Sequence, residues 1–481
     1  MTERLTLSGL LARYPAYDTA AVDASFAQAL QANHQKIVVL DDDPTGIQTV
    51  HNISVYTDWT EETIKQGLAE QTRMFFVLTN SRSFTEEQTQ KAHKEIARAV
   101  MRAAQKSREP ALIISRGDST LRGHYPLETE VLRCTLEAEG HPPFDGEIIL
   151  PFFPEGGRYT ADSTHYVNLN GCLTPAGETE FAQDKTFGYR SSNLCDWVEE
   201  KTAGRCKRSE VTCISLDELR RCDYASIENK LAAVSHFGKV VVNALDYDDI
   251  TVFATALLHV IAQGKYFLFR TAAAFVKVIG GIERRSLLTR NELIAHDNHH
   301  GGLIIAGSFT NKTTEQLKLL TELQAVEQVI FDQHLVLNDA AFAAEQKRVT
   351  GLCERLIEQG KTVVVMTRRE RIDINTGNPE DELNIAVKIS GALTGIVQKL
   401  SVEPQFLVAK GGITSSDIGV NGLGVKRALV LGQILPGIPV WQTGGESRFP
   451  GMPYIIFPGN VGDPSDLRRV VEVFLENIQH S

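Results

Sequence analysis

Lys36-Ile37-Val38-Val39-Leu40-Asp41-Asp42-Asp43-Pro44-Thr45-Gly46 is the stretch on which the fold turns. Five residues rich in β-branched apolar side chains, with no polar alternation, read as a strand buried on both faces. Three acids and a Pro-Thr-Gly turn follow at once, so the strand stops where polar chemistry begins. The same pattern recurs at Met74 to Leu78 (MFFVL), Ala111 to Ser115 (ALIIS), Glu147 to Leu150 and Val240 to Asn243. Helical stretches lie between them. One is Thr85 to Ala104, with an N-cap candidate at Ser83 or Thr85 and Glu86 and Glu87 in its first turn. Strands alternating with helices imply a mostly parallel sheet covered on both faces.

A second such series begins after the polar stretch His296 to Gly302 (HDNHHGG) and supplies strands at Leu303 to Ala306, Thr362 to Met366 and Phe406 to Ala409. At 481 residues the chain is too long for one ordinary core. The expected fold class is therefore α/β, as two α/β domains with mostly parallel sheets and an active-site cleft between them. The expected domains are 1–295, with 1–35 as an extension before the first strand, and 296–481. His296, His299 and His300 read as part of a polar linker rather than as metal ligands.

An apolar fraction of 42% and a charged fraction of 23% describe a globular chain. The net charge of −11 and the absence of a basic stripe exclude a nucleic-acid footprint. No run approaches the roughly 18 apolar residues of a membrane helix. Met1 to Tyr14 lacks the apolar core and cleavage site of a secretory leader. The seven cysteines are scattered without a C-x-x-C pair, which suits a reduced compartment, so the cytoplasm is the expected location.

Ligands of open α/β sheets sit beyond the carboxyl ends of the strands. Three strands of the first half deliver polar residues there: Asp41-Asp42-Asp43, then Thr79-Asn80-Ser81-Arg82, then Arg116-Gly117-Asp118-Ser119-Thr120-Leu121-Arg122-Gly123. Carboxylates accept hydrogen bonds from sugar hydroxyls, and one can take the proton of an attacking hydroxyl. Arginine forks bind carboxylates in pairs of charge-assisted bonds. A small molecule with hydroxyls and a carboxylate fits such a set. Asp41 to Asp43 read equally as a solvated turn, and three acids also suit a hard cation such as Mg²⁺.

The second half offers Gly turns after strands, where backbone N–H groups bind phosphates. They are Ala306-Gly307-Ser308-Phe309-Thr310-Asn311-Lys312, Lys410-Gly411-Gly412-Ile413-Thr414-Ser415-Ser416-Asp417 and Phe457-Pro458-Gly459-Asn460-Val461-Gly462. There is no G-x-x-x-x-G-K-[ST] loop, and Gly419, Gly422 and Gly424 have the wrong spacing for a dinucleotide fingerprint.

The D-D-x-T-G turn, the N-x-R stretch, the D-S-T-L-R-G loop and then Phe153 to Arg158, Thr179 to Asp184 and Phe187 to Leu194 resemble, in order, the four-carbon acid sugar kinase family. The three glycine turns resemble its nucleotide domain. The resemblance runs from about residue 37 to 470. It implies an ATP-dependent kinase of acids such as threonate, erythronate or 3-oxo-tetronate, with Mg²⁺·ATP on the C-terminal domain and the acid on the N-terminal one. By it, Asp42 or Asp43 is the hydroxyl-activating base, with Asp118 competing. Asp42, Arg82, Arg116, Gly117, Asp118, Ser119 and Arg122 hold the acid, with Arg82 and Arg122 on its carboxylate. Ser308, Lys410, Gly411, Gly412, Ile413, Thr414, Asp417 and Gly459 hold the nucleotide, and no metal ligands are assigned. The sequence departs from the family where D-D-P-T-G-I replaces D-D-x-T-G-A and where Arg116 stands in place of a frequent lysine. These departures bear on the choice of acid more than on the reaction. A homodimer is carried as an expectation from its general frequency. A nicotinamide-dependent hydroxy-acid oxidoreductase and a non-catalytic sugar-acid sensor are the rival readings.

Overall fold

A computed structural model describes residues 5–307, 310–370, 379–459 and 461–475, and for 379–384 and 386 the backbone alone. Two compact units divide the chain: Met1–Gly46 with Asp58–Arg284, and Ile47–Thr57 with Arg285–Ser481. The division thus departs from the expected 295/296 boundary in two places. The segment after Arg285 joins the second unit because Leu288 and Leu293 enter its core, and the Leu288 N–H donates to the Gln433 carbonyl (2.8 Å). The segment 47–57 joins it because Ile53–Tyr56 finds a strand partner there.

The first unit carries β1 (Lys36–Asp41), β2 (Met74–Leu78), β3 (Ala111–Arg116), β4 (Gly146–Leu150), β5 (Thr212–Ile214), β6 (Gly238–Val242) and β7 (Phe267–Thr271). They lie in the order β2-β1-β3-β7-β4-β6-β5, every pairing parallel. Val38, Val39, Phe75, Phe76 and Ile114 are fully buried, as strands covered on both faces require. The helix Glu86–Ser107 starts at Thr85, whose hydroxyl accepts from the Gln88 N–H while the Gln88 side chain accepts from Thr85, a reciprocal cap. Its buried residues include Ala92, Ile96, Ala97, Val100 and Ala103, one face at helical spacing. The extension before β1 folds onto the same unit. Its helix Thr19–Ala32 buries Val22 and Ala29, and the Tyr17 hydroxyl donates to Asp249 Oδ1 (2.7 Å). Between β4 and β5, Arg158–Ala161, Thr164–Leu169 and Cys172–Pro175 form a separate antiparallel sheet.

The second unit carries β8 (Leu303–Ala306), β9 (Val326–Phe331), β10 (Thr362–Thr367), β11 (Leu407–Lys410), β12 (Arg427–Leu435), β13 (Ile438–Thr443) and β14 (Pro453–Phe457). In the order β9-β10-β8-β11-β14-β13-β12, the first five are parallel and the last pairings antiparallel. Ile53–Tyr56 adds to β12 antiparallel. Ile304, Val364, Val408 and Ile455 fill its core, and Phe406 stacks on Phe474 with ring centroids 3.9 Å apart. Both units are therefore α/β with mostly parallel sheets. Among the described residues no helix is long and apolar enough to cross a membrane.

Strand order places the sites. In the first unit the chain leaves β1 for β2 on one side, then takes up β3 on the other. The crevice of that unit opens where this reversal occurs, beyond the carboxyl ends of β1 and β3. In the second unit the reversal lies between β8 and β11. Gly307 follows one of these strands and Gly411 the other.

Candidate functional site

β1 ends in Asp41, and the chain then runs through Asp42 and Asp43 into a short 3₁₀ turn at Pro44–Ile47. Backbone bonds continue past the strands: Asp42 N–H to the Arg116 carbonyl (3.3 Å), Thr79 N–H to the Asp41 carbonyl (2.8 Å) and Gly117 N–H to the Thr271 carbonyl (2.9 Å). These bonds fix the loops of β1, β2, β3 and β7 against one another.

Two arginines meet the aspartates in layers. Arg116 is buried, and its Nη1 donates to Asp41 Oδ1 (2.8 Å) and Asp42 Oδ1 (3.0 Å). Arg82 lies above it and clamps Asp42 with two bonds, Nε to Oδ2 (3.1 Å) and Nη2 to Oδ1 (2.7 Å). Its Nη1 reaches Asp43 Oδ2 at 3.4 Å and Asp118 Oδ1 at 4.0 Å. A Cβ on Gly46 would sit 2.2 Å from Asp41 Oδ1 and 2.4 Å from Arg116 Cζ, so the inner pair requires a glycine there. Burial pushes the Asp41 carboxyl up to about 7, the neighbouring acids add to that, and Arg116 offsets part of it. Asp43 is also desolvated, yet Arg82 and the Thr45 hydrogen bonds outweigh burial and hold it below its ordinary value.

The loop after β3 completes the cluster. Burial would raise the Asp118 carboxyl, but Arg82 and Arg122 outweigh it and hold it well below the usual range. Arg122 Nε donates to Asp118 Oδ2 (2.8 Å), and the Thr120 hydroxyl bonds the same oxygen. The loop is pinned from outside: Tyr189 Oη donates to the Thr120 carbonyl (2.8 Å) and His165 Nε2 pairs with the Ser119 carbonyl (2.8 Å). Buried Leu121 sits at φ +69°, a conformation that an apolar side chain keeps only when its surroundings enforce it.

The expected acid-binding residues therefore come together but do not all face outward. Side chains of Asp43, Asp118, Arg82 and Arg122 keep 14%, 12%, 21% and 20% of their surface, whereas Asp42 and Arg116 keep 3% and 6%. Arg116 and Asp42 thus organise the site from beneath, and Gly117 lies against Arg270 rather than an open space. Ser119 is buried with its carbonyl bound. Sequence reasoning missed Arg270, on the central strand β7, because a charge inside FLFRT breaks the apolar pattern. Nor does the sequence mark Arg158, the last residue of Phe153 to Arg158, as a site residue.

In the second unit, Gly411 adopts φ +113° between β11 and the short helix Gly412–Asp417, a conformation natural to glycine. Tyr454 Oη donates to the Ser415 carbonyl (2.6 Å), which steadies the helix. Ile413 is exposed, and Asp417 accepts from the Ser390 hydroxyl (3.0 Å). Thr414 is half-buried, and nothing crowds the position a Cβ would take on Gly459. Lys410 does not reach outward: it is fully buried, donates to the Pro458 carbonyl (2.7 Å) and lies 4.1 Å from the Phe457 ring centroid. Burial pulls its ammonium down to about 7, and Lys312 adds to the effect. Ser308 lies outside the described residues. Among the described residues no three His, Cys, Asp or Glu side chains form a metal cage. His299 is exposed and His300 bonds the Glu403 carbonyl (2.7 Å).

Comparison with known families finds one model in each half of the chain. Residues 37–279 match a model described as a sugar-binding N-terminal domain, and residues 303–467 one described as a nucleotide-binding C-terminal domain. The chain belongs to the four-carbon acid sugar kinase family, whose architecture pairs these two domains. Among solved structures, protein HI1011 of Haemophilus influenzae, of family DUF1537, is similar at 16% identity and a TM-score of 0.60, over 91% of this chain and all of the other. A Salmonella typhimurium LT2 protein carrying a provisional tRNA-synthase description is similar at 14% identity and a TM-score of 0.63, over 91% of this chain and 98% of the other. At such identities the likeness is one of fold. Among curated proteins no match is found.

Proposed function

We propose that the protein transfers the terminal phosphoryl group of ATP to a hydroxyl of a small, four-carbon sugar acid such as threonate, erythronate or 3-oxo-tetronate. The observation that carries this reading is the cluster of Asp42, Asp43, Asp118, Arg82 and Arg122 at the strand-order reversal of the sugar-binding domain. Carboxylates suited to hydroxyls stand there beside guanidinium groups suited to a carboxylate. Phosphoryl transfer asks little covalent chemistry of a protein: it needs positioning, charge stabilisation and an acceptor for the hydroxyl proton.

Asp42 is spent on Arg82 and Arg116, so the proton-accepting role falls to Asp43 or Asp118, whose carboxylates reach the surface. The turns at Gly307, Gly411 and Gly459 suit the phosphates through backbone N–H groups. Mg²⁺ is expected to arrive on those phosphates, since this cation is held by phosphate oxygens with one or two carboxylates rather than by a protein cage. The absent dinucleotide fingerprint speaks against a nicotinamide oxidoreductase.

The test is ADP release with Mg²⁺·ATP against both threonates, both erythronates and 3-oxo-tetronates. Turnover with one acid, abolished in Asp43→Asn or Asp118→Asn, supports the proposal and names the base. Silence with every acid while ATP still binds moves the substrate outside this class. Normal turnover in both variants removes the aspartates from the mechanism.

A further inference from the structure

Arg158 opens the strand Arg158–Ala161 of the small antiparallel sheet. Its guanidinium carbon lies 5.5 Å from the Phe181 ring centroid, and that of Arg122 lies 5.3 Å from the same centroid. The two cations therefore share one aromatic platform beside Asp118. Their pairing differs. Arg122 bonds Asp118 (2.8 Å) and approaches Asp184 (3.8 Å), and Arg82 clamps Asp42. Arg158 makes no ion pair among the described residues, and its Nε is buried without a hydrogen-bond partner. Burial pulls its pKa down, and the field of Asp118 only partly offsets that, although an arginine remains protonated throughout. A desolvated guanidinium with no anion is unfavourable unless a ligand supplies one.

We infer that Arg158 is the principal carboxylate-binding residue of the sugar-acid site, held on Phe181 and left unpaired for the substrate's anionic end. The assignment rests on the kinase reading above and deepens it. Stacking restrains the guanidinium plane while leaving its edge N–H groups to bind a carboxylate with two parallel bonds. Arg82 and Arg122 are already neutralised by aspartates, so the field for an added negative charge is strongest at Arg158. Recognition of an acid over the corresponding neutral polyol then rests mainly on this residue, with Arg82 and Arg122 beside it. The same fork also suits a phosphate oxygen, and the experiment separates the two sources.

The test uses the full chain as wild type, Arg158→Gln and Arg158→Lys. Binding of threonate, erythronate and the neutral tetritols is measured by calorimetry, and KM for acid and for ATP by ADP release. Arg158→Gln is expected to weaken acid binding and raise acid KM by roughly 10- to 100-fold, the loss of a charge-assisted pair. Its ATP KM should not move, and tetritol binding should not change. Arg158→Lys keeps the charge without the fork and should recover part of the loss, which keeps the test informative if the glutamine variant folds poorly. An unchanged acid KM in both variants overturns the assignment, as does a rise confined to ATP. Equal losses for acid and tetritol mean a packing role and overturn it too. A wild type that binds ATP but no acid overturns the kinase reading first, and this assignment with it.

Discussion

Replacing Gly117 by alanine asks whether that glycine serves the ligand or the scaffold. A Cβ built there would lie 1.8 Å from Arg270 Nη1 and 2.2 Å from Arg270 Cζ. Arg270 is 5% exposed on a strand flanked by β3 and β4, and its Nη2 donates to the Arg122 carbonyl (2.8 Å). It has no open space into which to swing. Overpacking of this kind costs about 1–3 kcal/mol. Loss of the charged bond to Arg122 adds about 1.5–3 kcal/mol if the guanidinium moves. A total on the order of 3 kcal/mol lowers the melting temperature of the first unit by roughly 6–12 °C. The assay is calorimetric unfolding of wild type, Gly117→Ala, Arg270→Ala and the double variant, without ligand. If the overlap is the cause, the alanine should add less than about 0.5 kcal/mol in the Arg270→Ala background. Additive costs in the cycle would refute the reasoning. An unchanged melting temperature with a raised acid KM would show that the glycine serves ligand approach instead.

The other predictions concern buried charges. Folded Asp41 keeps its proton up to about 7, whereas the unfolded carboxyl loses it near 3.8, so the folded state binds more protons in that window and stability falls as pH rises through it. Asp41→Asn should flatten this fall, read as the slope of unfolding free energy between pH 4 and 7. Arg116→Met leaves Asp41 and Asp42 without their inner partner and should cost about 3–5 kcal/mol. That loss should be greater at pH 8 than at pH 6, because Asp41 can stay neutral at the lower pH. Folded Lys410 loses its proton near 7 against 10.5 when unfolded, so the folded state binds fewer protons there and the second unit gains stability as pH rises between those values. Lys410→Met should remove that gain, measured by denaturant unfolding across the range.

The sequence by itself determines what neighbours along the chain decide. KIVVL, MFFVL and ALIIS announce strands because short, nearly continuous apolar runs rich in β-branched or aromatic residues suit a sheet covered on both faces. Thr85 announces a helix start through its own local hydrogen bonds. The aspartates and arginines were legible as a set because each follows such a strand directly. The order of strands, and so the place where loops meet, has no local signature. Ile53–Tyr56 is as strand-like as its neighbours, yet its partner is Arg427–Leu435, far along the chain. The roles of individual charges were likewise settled by tertiary structure. Arg82, Arg116, Arg122 and Arg158 look alike in sequence, but one clamps Asp42, one is buried beneath it, one pairs with Asp118 and one makes no ion pair among the described residues. Lys410, read as a phosphate contact, turns instead to the Pro458 carbonyl. Ion pairing and desolvation act over a few ångströms of space between residues far apart in the chain, so only the folded arrangement decides which charges are spent and which remain for a ligand.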